Sequence, residues 1–374
     1  MSTNIEWAQE VWNPTTGCQM VSEGCRNCYA VGMTHRLGSG LGNAETKAKY
    51  AGLTVLNARG DRHFNGVVRT HDDRLDIPLK RKKPTRWFVN SMSDLFHKDV
   101  PFEFIDKVFA VMAMCPQHTF QVLTKRPERM AEYTQGMNGQ HEGRIRQSGV
   151  HPMPPFEYDF PWPLPNVWLG TSVEDQRTAG ERIPHLLNCP ARVRWLSCEP
   201  LLGVVYLGLP ITLERAQRDF DEYEKNAGPI EPISEVKLNR MMSNLNATLD
   251  DPAAVARIKA MGNPFSSIDW VVAGGESGPK ARPMHPDWAR SIRDQCKNAG
   301  VPFFFKQWGE WEPAAAASKP EGQTVLIDPQ GRTGSAIAMG GGRRVFMDRV
   351  GKKKAGRLLD GVEHNEYPEV NGAT

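Results

Sequence analysis

NVWLGTSVED, residues 166–175, is a short apolar run that turns polar within two residues. Val167, Trp168 and Leu169 do not alternate with polar side chains, so the run suits a strand covered on both faces, as a parallel sheet with helical crossovers demands. Moving outward, the same pattern recurs in TRWFVNSMSD (85–94), HTFQVLTKRP (118–127), ARVRWLSCEP (191–200), SIDWVVAGGESG (267–278) and VPFFFKQWGE (301–310). The connections have helical periodicity. In 101–115 Phe104, Ile105, Val108, Phe109 and Met112 form one stripe, and in 286–300 Trp288, Ile292 and Cys296 lie four apart between Pro286 and Gly300. With VWNPTTG (11–17) as a first strand there are seven β/α-type units. The expected fold is α/β, a TIM-like barrel of parallel strands, full or partial.

The chain of 374 residues, 40% of them hydrophobic, is long enough to bury about 75% of its unfolded surface. Residues 1–310 read as the barrel, with a proline-rich insertion at 135–165 and a charged helical insertion at 209–265; residues 311–374 read as a C-terminal extension. No apolar stretch reaches the roughly 18 residues of a membrane span, and the N-terminus has no signal-peptide core. The expectation is a soluble cytoplasmic protein. Seven unevenly spaced cysteines fit a reducing compartment better than a disulfide framework. The net charge of +3 says little, but residues 343–357 hold seven Lys/Arg against one Asp, a solvated tail or a phosphate-contacting strip.

In a parallel barrel the C-terminal strand ends share one rim, where catalytic groups belong. Those ends carry Ser91, Ser93 and Asp94; Thr124, Lys125 and Arg126; Ser172, Glu174 and Asp175; Cys198 and Glu199; Gly274, Gly275 and Glu276; Lys306 and Gln307. TGCQMVSEGCRNCYA (16–30) follows the first strand and brings Cys18, Cys25 and Cys28 to the same rim. A structural zinc site usually has four ligands, whereas three thiolates on a 4Fe–4S cluster leave one iron open to an outside ligand. S-adenosylmethionine (SAM) can take that place, and an external electron donor must then reduce the cluster. Zinc with a fourth ligand from His35 or a distant cysteine is the other reading.

WNPTTGC, VSEGCRNCYA, FVNSMSDLFHKDVP, HTFQVLTKRPERM, RWLSCEPLLG, WVVAGGESGPKARP, PFFFKQWG and GKKKAGRLLDG occur in that order. Over most of its length the chain thereby resembles a phage- and bacteria-encoded three-cysteine family of uncharacterised function assigned to the radical-SAM superfamily. The resemblance implies a cluster on Cys18, Cys25 and Cys28 and SAM across the rim. This chain departs from the superfamily in three ways. The spacing is C-x6-C-x2-C; Asn27 stands where an aromatic residue usually precedes the last cysteine; and the Gly-Gly-Glu signature, Gly274–Glu276, comes at the sixth strand instead of the second. The amino-group role therefore falls to Ser93 and Asp94. The LTK and TSVE strand ends are similar to the spore photoproduct lyase branch, which implies Lys125 and Ser172, with Glu174, as SAM contacts.

Other residues carry two readings. Gly274 and Gly275 permit a tight turn or let backbone N–H groups approach a ligand. Glu199 touches substrate or pairs with an arginine such as Arg182. Cys198 donates a hydrogen atom beside the cavity or is a small core residue. His97, His118, Cys115, Cys189 and Cys296 read as structural. The leading expectation is a radical-SAM enzyme with a nucleic-acid substrate; the other is a non-catalytic, zinc-stabilised nucleic-acid-binding protein.

Overall fold

The computed structural model describes residues 5–135, 141–150, 161–207, 268–314, 323–334 and 344–369. The 209–265 insertion and the centre of the proline-rich one lie outside the described residues. Seven strands form one parallel sheet: β1 (Glu10–Trp12), β2 (Arg86–Val89), β3 (Thr119–Thr124), β4 (Val167–Ser172), β5 (Val193–Cys198), β6 (Trp270–Gly274) and β7 (Phe303–Gln307). Each pairs with the next in sequence. For parallel strands paired in sequence order, right-handed crossovers put the described connecting helices on one face, so the sheet curls around the other. The Trp7 ring measures the curl. Three strand spacings put β2 about 14 Å from β5 in a flat sheet, yet Trp7 lies 4.7 Å from Phe88 on β2 and 5.2 Å from Trp195 on β5. Among the described residues β1 and β7 share no ladder, so the TIM-like barrel is partial.

The first strand is shorter than 11–17 because Pro14 has no N–H for a ladder; Thr15–Thr16 pairs instead with Arg69–Thr70. Among the described residues the helices of eight residues or more are α1 (Tyr29–Arg36), α2 (Phe102–Ala113), α3 (Pro127–Gln135), α4 (Gln176–Leu187) and α5 (Pro286–Ala299). A capping box between Asp175 and Thr178 starts α4, and Gly300, at φ +66°, ends α5. The apolar stripes of α2 and α5 pack against Val89, Val122, Leu169, Leu196, Val271 and Phe305 in the main core. Each such side chain contributes about 1.5–3 kcal/mol by its burial.

The concave face holds a second, mostly aromatic core: Trp7, Phe88, Trp168, Trp195, Trp270 and Phe304. Gly170 is obligatory there, since a Cβ would overlap the Trp195 indole. The C-terminal extension forms a four-stranded antiparallel sheet of β8 (Trp311–Pro313), β9 (Thr324–Ile327), β10 (Thr333–Gly334) and β11 (Val345–Arg349). It then returns to the barrel. The Phe305 amide donates to the His364 carbonyl (3.0 Å), and Tyr367 stacks on Trp270 at 5.2 Å. The edge of β7 is thus covered by the chain's own terminus, and the extension is continuous with the barrel.

Candidate functional site

The cysteine loop begins at Gly17, where φ is +85° and a Cβ would overlap the Val67 carbonyl oxygen. Only glycine fits so close an approach at that angle. The loop makes one short turn over Glu23–Cys25 and ends at Cys28, the N-cap of α1. All three thiols are free and half-buried. Cys18 and Cys28 pack against a small apolar cluster of Ala30, Val31, Tyr50, Phe64 and Met92.

Three strand ends hold this loop. After β3, Arg126 donates to the Gln19 carbonyl (3.0 Å) and to Asp94 (2.8 Å). After β4, Glu174 accepts from the Ser22 hydroxyl (3.1 Å), Arg182 (2.9 Å) and Lys125, and Gly24 lies so close that a Cβ would overlap the Glu174 side chain. After β6, Glu276 accepts from Asn27 (3.0 Å) and from Arg282, whose guanidinium also reaches the Glu23 carbonyl (3.0 Å). Burial works to raise the Glu174 carboxyl, but Lys125 and Arg182 hold it below its ordinary value. Removing one side of so buried an ion group costs about 3–5 kcal/mol.

A carboxylate has about four acceptor positions. Asp94 fills them with Phe96 N, Thr124 Oγ1, Lys125 N and Arg126 Nη1. Glu276 accepts from Asn27 and three nitrogens of Arg282. Asp94 has no acceptor position left, so the SAM contact expected there gives way to ties within the rim, whereas Glu276 takes three of its contacts on Oε2 and one on Oε1. Ser93 is likewise engaged with Thr15, through the hydroxyl (2.8 Å) and the carbonyl (2.9 Å). Gly274 and Gly275 serve close packing: a Cβ on Gly275 would overlap the Trp308 carbonyl oxygen. Cys198 is fully buried in the main core on the helix-facing side, where burial first, then the Glu174 charge, pushes its thiol up to about 12. It is not brought to the cavity. The expected Arg182–Glu199 pair is also corrected, because Arg182 binds Glu174, and Glu199 is held by Lys306 at 2.7 and 2.9 Å.

The groups left accessible on the rim are Lys125, with 20% of its side chain exposed, Glu199 (17%) and Lys306 (12%). Ser172 is buried, and alternation from Leu169 turns its side chain to the concave face beneath them. Sequence reading missed Tyr29. Tyr29 is 56% exposed, and its hydroxyl donates to the Ser91 carbonyl (2.7 Å). Asn27, Arg282 and Lys306 were also missed, since nothing local marks a residue whose partner lies on a distant strand.

Burial pushes Cys18 up to about 12, with Asp94 adding and Arg126 opposing; Cys28 is raised by burial too. These thiols stay neutral unless a cation compensates. Ligands of one zinc ion lie about 3.8 Å apart, but among the described residues no three His, Cys, Asp or Glu side chains converge in that way. The thiols still act on one another electrostatically. Three thiols on one loop that do not converge on a single-ion site suit a cluster larger than one ion.

Three of the seven cations in the basic run are held internally. Arg349 donates to the Gly278 carbonyl (3.2 Å), Lys352 pairs with Glu6 (3.2 Å), and Arg357 donates to the Lys306 carbonyl (3.1 Å) over the Phe304 ring. Trp168 and Trp308 are buried core aromatics.

Residues 2–368 match the model of a family described as "Protein of unknown function (DUF5131)". No curated protein matches the sequence. Among solved structures, the chain is similar to spore photoproduct lyase complexed with dinucleoside spore photoproduct, at 11% identity over 78% of this chain and 75% of that one, with a TM-score of 0.33. A mutant of that lyase with bound AdoMet and dinucleoside spore photoproduct matches at 10% identity over 73% and 57%, with a TM-score of 0.32. A further mutant matches at 12% over 54% of this chain and 48% of the lyase, about half its length, with a TM-score of 0.30. The fold assignment rests on strand order and register. No described helix is long and apolar enough to cross a membrane.

Proposed function

The chain belongs to that DUF5131 family, and from this premise we propose that it is a radical-SAM-type enzyme whose Cys18, Cys25 and Cys28 hold a 4Fe–4S cluster. One observation carries the reading: three half-buried thiols outside any disulfide share a loop clamped to three strand ends, and among the described residues they do not converge on a single-ion site. Bound there, the cluster with SAM on its open iron supplies one-electron cleavage of the sulfonium and a 5′-deoxyadenosyl radical, given an external electron donor.

The chain's own groups have separate tasks. Asp94, Glu174 and Glu276 keep the loop in place, and Asp94 is not a ligand contact. Lys125 faces the ligand carboxylate and exchanges Glu174 for it. Ser172 lies below. Glu199 with Lys306 offers an acceptor and a donor to whatever enters the mouth. The internal pairing of Arg349, Lys352 and Arg357 takes three of seven cations out of the basic run's support for a nucleic-acid substrate, so nucleic acid is one arm of the test.

Anaerobic reconstitution tests the reading. Wild type should bind iron and sulfide, and Cys→Ala at any of the three positions should abolish most of that binding, while Cys198→Ala keeps it. The reduced protein should release 5′-deoxyadenosine from SAM, and mass spectrometry of added oligonucleotides, peptides and small molecules should then identify the substrate class. Zinc in place of iron, or full iron and sulfide in the triple alanine variant, refutes the proposal.

A further inference from the structure

Two departures of this chain from the radical-SAM sequence pattern are hydrogen-bonded to each other. Asn27 replaces the usual aromatic residue between the second and third cysteines, and Glu276 closes a Gly-Gly-Glu that arrives at the sixth strand. The Asn27 amide nitrogen donates to Glu276 at 3.0 Å and to the Lys280 carbonyl at 2.8 Å. Both neighbours are acceptors, which settles the orientation of the amide. Glu276 is only 6% exposed, and Arg282, which holds it at 2.7 and 2.9 Å, also grips the Glu23 carbonyl. The Glu23–Asn27 segment, containing Cys25 and leading into Cys28, is therefore tied at both ends to the loop after β6, 249 residues away from Asn27 in sequence.

We propose that Asn27 and Glu276 form a positioning pair that sets the two thiols of the C-x2-C segment before any metal arrives. Asn27 supplies a short polar link where an aromatic side chain has no amide to offer. Glu276 spends its Oε2 on that link and on Arg282, and Arg282 also holds its Oε1. Ordering the loop in advance removes a conformational-entropy cost from metal binding. The pairing of the thiols with iron rests on the function proposed above, whereas the pairing of Asn27 with Glu276 does not.

The test uses full-length metal-free protein, iodoacetamide as the probe and peptide mapping of each cysteine, with amide exchange over residues 23–28. Asn27→Ala and Glu276→Ala should each speed alkylation of Cys25 and Cys28 by about ten- to a hundredfold, the range of a lost charge-assisted hydrogen bond. Cys18, outside the pinned segment, should keep its rate. The double variant should be no faster than the quicker single one, because the two act through one contact, and Glu276→Gln, which retains an acceptor, should recover most of the protection. In reconstituted protein, Asn27→Ala should also shift the electron paramagnetic resonance g values of the reduced centre. Should Glu276→Ala fail to fold, Asn27→Ala and Glu276→Gln still decide. Wild-type alkylation rates in the variants, or effects that multiply in the double variant, overturn the pair. Protection by the pair in a wild type that takes up no iron overturns the cluster instead, so the two failures are distinct.

Discussion

The cysteine loop gathers three of the chain's seven cysteines, the basic run 343–357 gathers seven Lys/Arg, and the two meet opposite fates. In the loop, backbone and neutral side chains are tied down by Arg126, Glu174 and Glu276, while the thiols form no disulfide and make only long contacts, Cys18 to the Gln19 carbonyl (3.6 Å) and Cys25 with the Ser22 hydroxyl (3.9 Å). In the basic run it is the charged groups that are tied down: Arg349, Lys352 and Arg357 bind carbonyls or Glu6. A cluster is available for chemistry when its scaffold is satisfied and its reactive atoms are not. The basic run fails that criterion although it is more conspicuous in sequence.

The largest way to break this comparison is Glu174→Ala. It leaves Arg182 and Lys125 without their shared carboxylate and frees Ser22, so urea denaturation should show a loss of about 3–5 kcal/mol. A loss below about 0.5 kcal/mol would mean that the loop is not clamped there. A smaller and pH-dependent effect belongs to His71, whose ring binds Thr16 at the root of the loop (2.9 Å). Burial first, then Arg74 and Lys49, lowers its pKa to about 4. The unfolded chain, at about 6.5, takes the proton first. Stability from this group is therefore level above pH 6.5 and falls as pH drops from about 6.5 to 4, by about 1–3 kcal/mol. His71→Gln should flatten that part of the profile, and an unchanged slope would remove His71 from the anchor.

The smallest effect tests the other region. Lys352 is 41% exposed in its pair with Glu6, and such pairs contribute about 0–1 kcal/mol and weaken with salt. Lys352→Ala should change stability within that range and leave binding to duplex DNA as it was. A marked fall in the salt dependence of DNA binding would show that the lysine contacts phosphate after all, and would reverse the contrast between the two regions.

Much of the fold was legible without coordinates because it depends on near neighbours. Runs such as Val167–Leu169 declared strands covered on both faces, and the Trp288–Ile292–Cys296 stripe declared the helix that covers them. Gly300 marked the end of that helix through its left-handed conformation. The cysteine loop was legible as well, since three thiols within eleven residues are a local fact. Boundaries were less so: Pro14 cut the first strand short, and the C-terminal extension, set apart by composition, returned to cover β7.

The roles of the polar strand ends were not legible. Asp94, Glu174, Glu199 and Glu276 look alike in sequence, each an acid just past an apolar run. Tertiary structure separates them by saturation. Asp94 is filled, Glu276 is held by Asn27 and Arg282, Glu174 is buried between two cations, and Glu199 stays accessible beside Lys306. Ser22 and Glu174 are 152 residues apart, and Asn27 and Glu276 are 249 apart. By itself the sequence determined the periodicities of strand and helix and the number of thiols on the loop, because those follow from residues a few positions apart. Only the curl of the sheet decided which acids meet which cations, because a hydrogen bond acts over about 3 Å of space whatever the distance along the chain.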